Sequence, residues 1–223
     1  MNQSVFDLTQ QHRSVRQFKD EPLSKETVEK LVKAGQMAST SSYVQAYSII
    51  GITDPEIKQA LKEVSGQQHV VDNGYLFVYV IDYYRHSLIN QETQGNMQPS
   101  FESAEGLLVG TIDVALAAQN VALTAEDMGL GIVYLGSLRN DVGRVSEILN
   151  LPEHVFHENQ YNADKEQQLT QIKQYDKDIQ EYYEKRTQGK RSESWSEQIK
   201  NMMSQKTRPD ILEKLNLKGF IKK

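Results

Sequence analysis

Apolar residues along the chain fall into two rhythms. Between 23 and 34, Val28, Leu31, Val32 and Ala34 recur at helical spacing behind Ser24, with Pro22 just upstream, so an N-capped helix is expected there. A shorter helix is expected over 4–11, and another over 56–64 after the turn signal Thr53-Asp54-Pro55. Residues 46–52 (AYSIIGI) read as a strand, and 75–82 (YLFVYVID) as a buried central strand. From 105 to 128 the chain is rich in alanine and leucine. Leu108, Ile112, Ala115, Leu116 and Val121 spread around its circumference, which predicts a helix buried on more than one side. Gly129-Leu130-Gly131 ends it. A short strand over 132–135 and a helix from 136 to 149 follow. Strands and helices do not alternate strictly, so an α+β layer fold is expected rather than a doubly wound parallel sheet.

After Asn159 the chain turns polar. Ile172, Tyr175, Ile179, Tyr182 and Tyr183 leave a narrow stripe on an otherwise charged helix. That stripe suits packing on another surface, in the same chain or in a second subunit, or else a solvated helix.

Composition narrows the chemistry. The 223 residues favour one generous core. Cysteine is absent, which excludes disulfides, thiolate-bound metals and thiol nucleophiles, so redox chemistry requires a borrowed cofactor. A net charge of -5 argues against a general nucleic-acid binder. No stretch approaches the roughly 18 apolar residues of a membrane helix, and the first ten residues carry neither a basic start nor an apolar run, so a cytoplasmic protein is expected.

Four local features could carry chemistry. His12-Arg13-Ser14-Val15-Arg16 sets two guanidinium groups three residues apart, beside a hydroxyl and an imidazole, which suits an anion and reads as readily as a surface basic patch. Residues 37–45 (MASTSSYVQ) form a hydroxyl-rich loop fit to line a site. The lone His86 reads as an ordinary polar contact. His154, His157 and Glu158 group too loosely for a metal site, and the lysines that close the chain read as a solvated tail.

Taken in order, HRSVRQFKDEPL (12–23), ASTSSYVQAYSIIGI (38–52), the strand ending DYYRH, AEDMGLGIVYLGSLRND (125–141) and GKRSESW (189–195) resemble the nitroreductase family, most of all its larger NADPH-linked flavin oxidoreductases. The resemblance covers nearly the whole chain. It implies a mixed, mostly antiparallel central sheet surrounded by helices, in a homodimer. FMN would lie at the subunit interface, take hydride from NADPH and pass electrons to nitroaromatics, quinones or free flavin in a ping-pong cycle. A single domain is implied, with residues 157–223 as a helical excursion onto the partner subunit. Carried over by position, His12, Arg13, Ser14 and Arg16 would hold the FMN phosphate and pyrimidine edge, with Thr40 and Gln68 adding polar contacts. Tyr134, Leu135, Gly136 and Ser137 would run along the ring. Ser42 and Tyr43 would flank the face where nicotinamide and acceptor alternate, and Lys190 and Arg191 would clamp the extra phosphate of NADPH. No side chain is required as a catalytic acid, and no metal is implied.

One departure stands out. The family places another strand after the helix ending near Leu151, then a Lys-Pro-Arg loop that reaches the flavin, and residues 151–159 leave no room for either. A true deletion would strip a sheet edge of its partner, so residues omitted between Phe156 and His157 are the favoured explanation. The departure also keeps open a second reading, a flavin-binding dimeric protein without efficient turnover.

Overall fold

The computed structural model describes residues 4–152, 155–156, 164–205 and 210–217. His154, His157, Glu158 and the terminal lysines lie outside them. The elements run α1 (Val5–Gln11), α2 (Lys25–Gln36), β1 (Tyr47–Ile52), α3 (Pro55–Ser65), β2 (Leu76–Asp82), α4 (Tyr84–Glu92), α5 (Gln98–Phe101), α6 (Ala104–Asp127), α7 (Val142–Leu149), β3 (Val155–Phe156), α8 (Lys165–Thr187), α9 (Trp195–Gln205) and α10 (Ile211–Leu217). Helix starts follow side-chain chemistry. Ser4, Ser24, Asp54, Ser103, Asp141 and Asp164 each accept a backbone N–H from the first turn.

β1 and β2 pair antiparallel over their whole length, from Tyr47 opposite Ile81 to Ile52 opposite Leu76, and β3 adds only two pairs at the far end of β2. Period-two alternation gives the sheet two apolar faces. Leu76, Val78 and Val80 join Ile50, Ile52, Leu61, Val145 and Leu149 beneath α3 and α7. Phe77 and Tyr79 join Ile49, Leu31, Val121 and Ala125 beneath α2 and α6. A third cluster holds α8 and α9 on α4 and α5: Ile172, Ile179, Trp195, Ile199 and Met203 pack with Tyr83, Ile89, Met97 and Phe101. The stripe on α8 is thus seated on its own chain.

Four expectations need correction. Residues 132–135 form no strand. Val15 N–H donates to the Ile132 carbonyl at 2.9 Å, and the only ladder contact there is an isolated parallel bridge between Ser14 and Ile132. The α6 helix buries one face, through small residues. Gly110 lets β2 come so near that a Cβ on it would lie 2.4 Å from Ile81. Its large aliphatics point outward instead, with Leu107 55% exposed and Ile112 50% exposed. By length and composition α6 is also long and apolar enough to cross a membrane, yet it packs on α2, β1 and β2 as the central helix of the fold. Finally, the full sequence is 223 residues and runs continuously through Phe156 and His157, so no residues are omitted there.

Candidate active site

The basic cluster leaves α1 and crosses the end of α6. His12 Nδ1 lies 2.7 Å from Glu126 Oε1. A backbone bridge then sets Ser14 beside Ile132, so closely that a Cβ on Gly131 would sit 2.9 Å from Val15. Arg13 and Arg16 are exposed. Neither has an acidic partner among the described residues. Tyr134 is half exposed, and its hydroxyl is pushed up by burial and by the nearby Glu126 carboxylate. Leu135 turns inward onto the α3 and α7 cluster. Ser137 opens a 3₁₀ turn (Ser137–Asp141), and its Oγ is buried without a hydrogen-bond partner. Asn140 ties that turn to the Val64 carbonyl near the end of α3. Just beyond α3, capped by left-handed Gly66, Gln68 donates to Asp72 at 2.9 Å.

Arg13, Arg16 and Ser137 are candidates for one half of a site: two guanidinium groups without acidic partners among the described residues, and an orphaned hydroxyl. They fit a phosphate-bearing ligand with a flat polar ring, because an unpartnered buried oxygen calls for a polar neighbour and free guanidinium groups for an anion.

Thr40, Ser42 and Tyr43 are elsewhere. Their loop is fixed to Asp113, thirteen residues before Glu126 on α6, a separation of about 20 Å along the helix. Within one chain, then, Thr40 does not meet His12, Arg13, Ser14 and Arg16. The loop is unusual in its backbone: Ser42, Tyr43 and Gln45 all have positive φ, at 50°, 61° and 57°. Such conformations cost energy in residues with a Cβ and persist only where the surroundings hold them.

Four distant side chains do so. The Asp113 carboxylate accepts Ser41 N–H at 2.9 Å and Ala46 N–H at 3.1 Å. Arg85 donates to the carbonyls of Gln45 and Tyr47. His86 Nε2 donates to the Val44 carbonyl at 2.8 Å. Trp195 Nε1 donates to the Tyr43 carbonyl at 3.0 Å. The Tyr175 hydroxyl, from α8, also meets Tyr43 Oη at 2.5 Å and accepts from Gln45 Nε2. Burial, reinforced by Tyr175, pushes the Tyr43 hydroxyl up, so it stays protonated. Beside the loop opens a cleft of about 360 Å³ lined by Gln36, Ser39, Thr40, Tyr43, Tyr47 and Tyr175.

Lys190 and Arg191 follow a left-handed turn at Gln188 and Gly189 that ends α8. Lys190 is exposed. Arg191 stacks 4.0 Å above the Tyr183 ring and pairs with Glu193 at 3.3 Å. Tyr183 lies eight residues, about 12 Å, along α8 from Tyr175. No group of three or more metal-ligating side chains occurs among the described residues.

Comparison with known proteins settles the family. Residues 9–157 match the model of the nitroreductase family, and residues 151–223 match the model of its C-terminal domain.

The chain belongs to the nitroreductase family.

It is an enzyme of that family by its relatives. An NADPH-dependent oxidoreductase of Staphylococcus haemolyticus is 59% identical, with all of both chains covered, and one of Staphylococcus aureus strain USA300 is 53% identical over the same span. Among solved structures, the NfrA1 nitroreductase of Bacillus subtilis is 41% identical with a TM-score of 0.68, covering 97% of this chain and 98% of its own. An NADPH:FMN oxidoreductase of Vibrio harveyi, in complex with NAD+, is 32% identical with a TM-score of 0.62, covering 96% and 97%. The alignment to the S. haemolyticus protein runs over 251 positions and this nitroreductase fills 223, so 28 positions have no residue here. The two family matches overlap at 151–157, where the expected strand and basic loop find no residues.

Sequence reasoning passed over Asp113, Arg85, Trp195 and Tyr175. Asp113 did leave a signal, as the only charged residue between Glu105 and Glu126. An isolated acid in an apolar helix has to find hydrogen-bond donors.

Proposed function

We propose that this nitroreductase is an NADPH-dependent oxidoreductase carrying FMN at the interface of a homodimer, a cytoplasmic enzyme that takes hydride from NADPH and reduces a nitroaromatic, a quinone or free flavin in a ping-pong cycle. We take the chain as one domain, with residues 157–223 as its helical excursion.

One observation carries this reading: residues 12–16 and the loop at 39–43 are anchored about 20 Å apart along α6, at Glu126 and Asp113, and the first half of that helix exposes an apolar stripe. Leu107, Leu108, Ile112 and Leu116 form an outward stripe at helical spacing. Pairing of two α6 helices through Ile112 and Leu116 would bury that stripe at a subunit interface beside the loop at 39–43, which Asp113 anchors. The names of the staphylococcal and Vibrio relatives support NADPH and FMN as the partners of such a site.

FMN, once bound, would accept the hydride and return it to the acceptor. The chain's own residues position and neutralise. Arg13 and Arg16 would hold the phosphate and stabilise negative charge on the reduced ring, and Ser137 Oγ would gain a polar partner. Ser42 and Tyr43 would shape the exposed face, and Lys190 with Arg191 would meet the 2′-phosphate of NADPH. In the last pair Lys190 carries more of the task, because Arg191 already pairs with Glu193.

The purified full chain is expected to be yellow and to oxidise NADPH when nitrofurazone, a quinone or free FMN is added, with parallel double-reciprocal plots. Colourless protein that takes up no added FMN would sink the proposal, and comparing the three acceptors would rank them. The dimer has its own test. Ile112→Ala removes three carbons, half exposed in one protomer, from each side of a buried interface, about 1.2 kcal/mol per protomer and about 2.4 kcal/mol per dimer, so the dimer dissociation constant measured by sedimentation should rise roughly fiftyfold. Unchanged association would place the interface elsewhere.

A further inference from the structure

Asp113 belongs to neither half of the site, yet both of its carboxylate oxygens reach the loop that carries Ser42 and Tyr43. It is fully buried on the inner face of α6 and has no cationic partner among the described residues. Its two hydrogen bonds go to the N–H groups at the two ends of the 41–46 loop, so one rigid group closes the loop like a clasp. Trp195 holds the middle, donating its indole N–H to the Tyr43 carbonyl from α9. Between these anchors lie the three left-handed residues.

A buried carboxylate without a cation is costly, and so are three left-handed residues that are not glycine. A loop needed only for connection could avoid both. We infer that Asp113 and Trp195 are positioning residues for the NADPH half-reaction: they hold Ser42 and Tyr43 in a preformed left-handed turn, so that nicotinamide meets a rigid surface instead of ordering a loose one. Preorganisation of this kind lowers the cost of binding without touching the chemistry. The inference rests on the placement of nicotinamide against Ser42 and Tyr43 proposed above.

The test uses the full chain loaded with FMN. In Asp113→Asn the amide keeps one acceptor and turns its N–H2 toward the other backbone N–H, so one end of the loop is released. The expected result is a KM for NADPH raised roughly tenfold with kcat changed less than about twofold. NADP+ affinity, read without turnover from the fluorescence of Trp195, should fall by the same factor. Trp195 is the chain's one tryptophan, which makes that signal local to the loop. A purely structural role would lower the thermal midpoint and leave KM and NADP+ affinity intact in the folded protein, and that result would overturn the inference.

Two further variants close the alternatives. If Asp113→Asn does not fold, Trp195→Phe, which keeps a ring in the pocket but removes the N–H, carries the same expected rise in KM, and its absence has the same overturning force. Tyr43→Ala tests the reading underneath. Should it leave NADPH affinity unchanged, the nicotinamide placement fails and the inference fails with it. Weakened NADPH binding in Tyr43→Ala beside normal binding in Asp113→Asn would overturn the inference alone.

Discussion

Replacing both Arg13 and Arg16 with alanine is expected to weaken FMN binding by about 10² to 10⁴, since each hydrogen-bonded charge on a phosphate contributes about 1.5 to 3 kcal/mol. The two guanidinium groups stand free of acidic partners among the described residues, so their removal breaks no ion pair among those residues. Thermal stability of the cofactor-free chain should hardly change. The effect should be large because the second basic loop suggested by the family resemblance has no residues here, and 28 aligned positions are empty. Titration of FMN fluorescence against the apoprotein measures the loss. Lysine at both positions should restore only part of the affinity, because a point charge replaces a planar fork. Wild-type FMN affinity in a stable double-alanine variant would remove this cluster from the site.

The sequence made some elements legible because their signals are local. The Ser24 cap, the turn signal at Thr53-Asp54-Pro55, the apolar run of β2 and the glycines after α6 depend on near neighbours, and the helices and strand they predict are present. The expected strand at residues 132–135 failed for a reason outside its own residues. It needed a run of ladder pairs along one neighbour and found a single bridge, to Ser14. Apolar content alone also misread α6. Gly106, Gly110, Ala117 and Ala118 bury its inner face, so the large aliphatics that suggest an enclosed helix lie on the outside.

The candidate site divides in the same way. The HRSVR cluster and the YLGS turn can be read in sequence because their chemistry is carried by residues close together in the chain. The loop at 41–46 looked merely hydroxyl-rich. Its shape is set by Arg85, His86, Asp113 and Trp195, which are between 38 and 152 residues away from the groups they hold. Distances of that kind have no local pattern. That Thr40 and Arg16 are anchored about 20 Å apart along α6 could not be seen before the helix was placed beside them.

His86 gives the second large effect, an acid sensitivity built into this loop. The imidazole is fully buried, donates to the Val44 carbonyl and packs edge-on against Trp195 and Tyr83. Burial, aided by the neighbouring Arg85 charge, lowers its pKa from 6.5 to about 4, while the Val44 carbonyl and Asp82 oppose the shift without cancelling it. The folded state therefore resists protonation that the unfolded chain accepts. Stability from this group is complete above about pH 6.5, declines as the pH falls, and is lost by about pH 4, a change of about 3 kcal/mol. Urea unfolding at steps between pH 7.5 and 4 should show that decline. His86→Gln keeps an N–H donor for Val44 but cannot titrate, so its stability should be lower at pH 7 and flatter with pH than that of the wild type. An identical pH slope in the two proteins would assign the acid sensitivity to other groups. If His86 is the source, NADPH binding should weaken over the same interval in which stability falls, because the carbonyl it holds belongs to the turn that carries Ser42 and Tyr43.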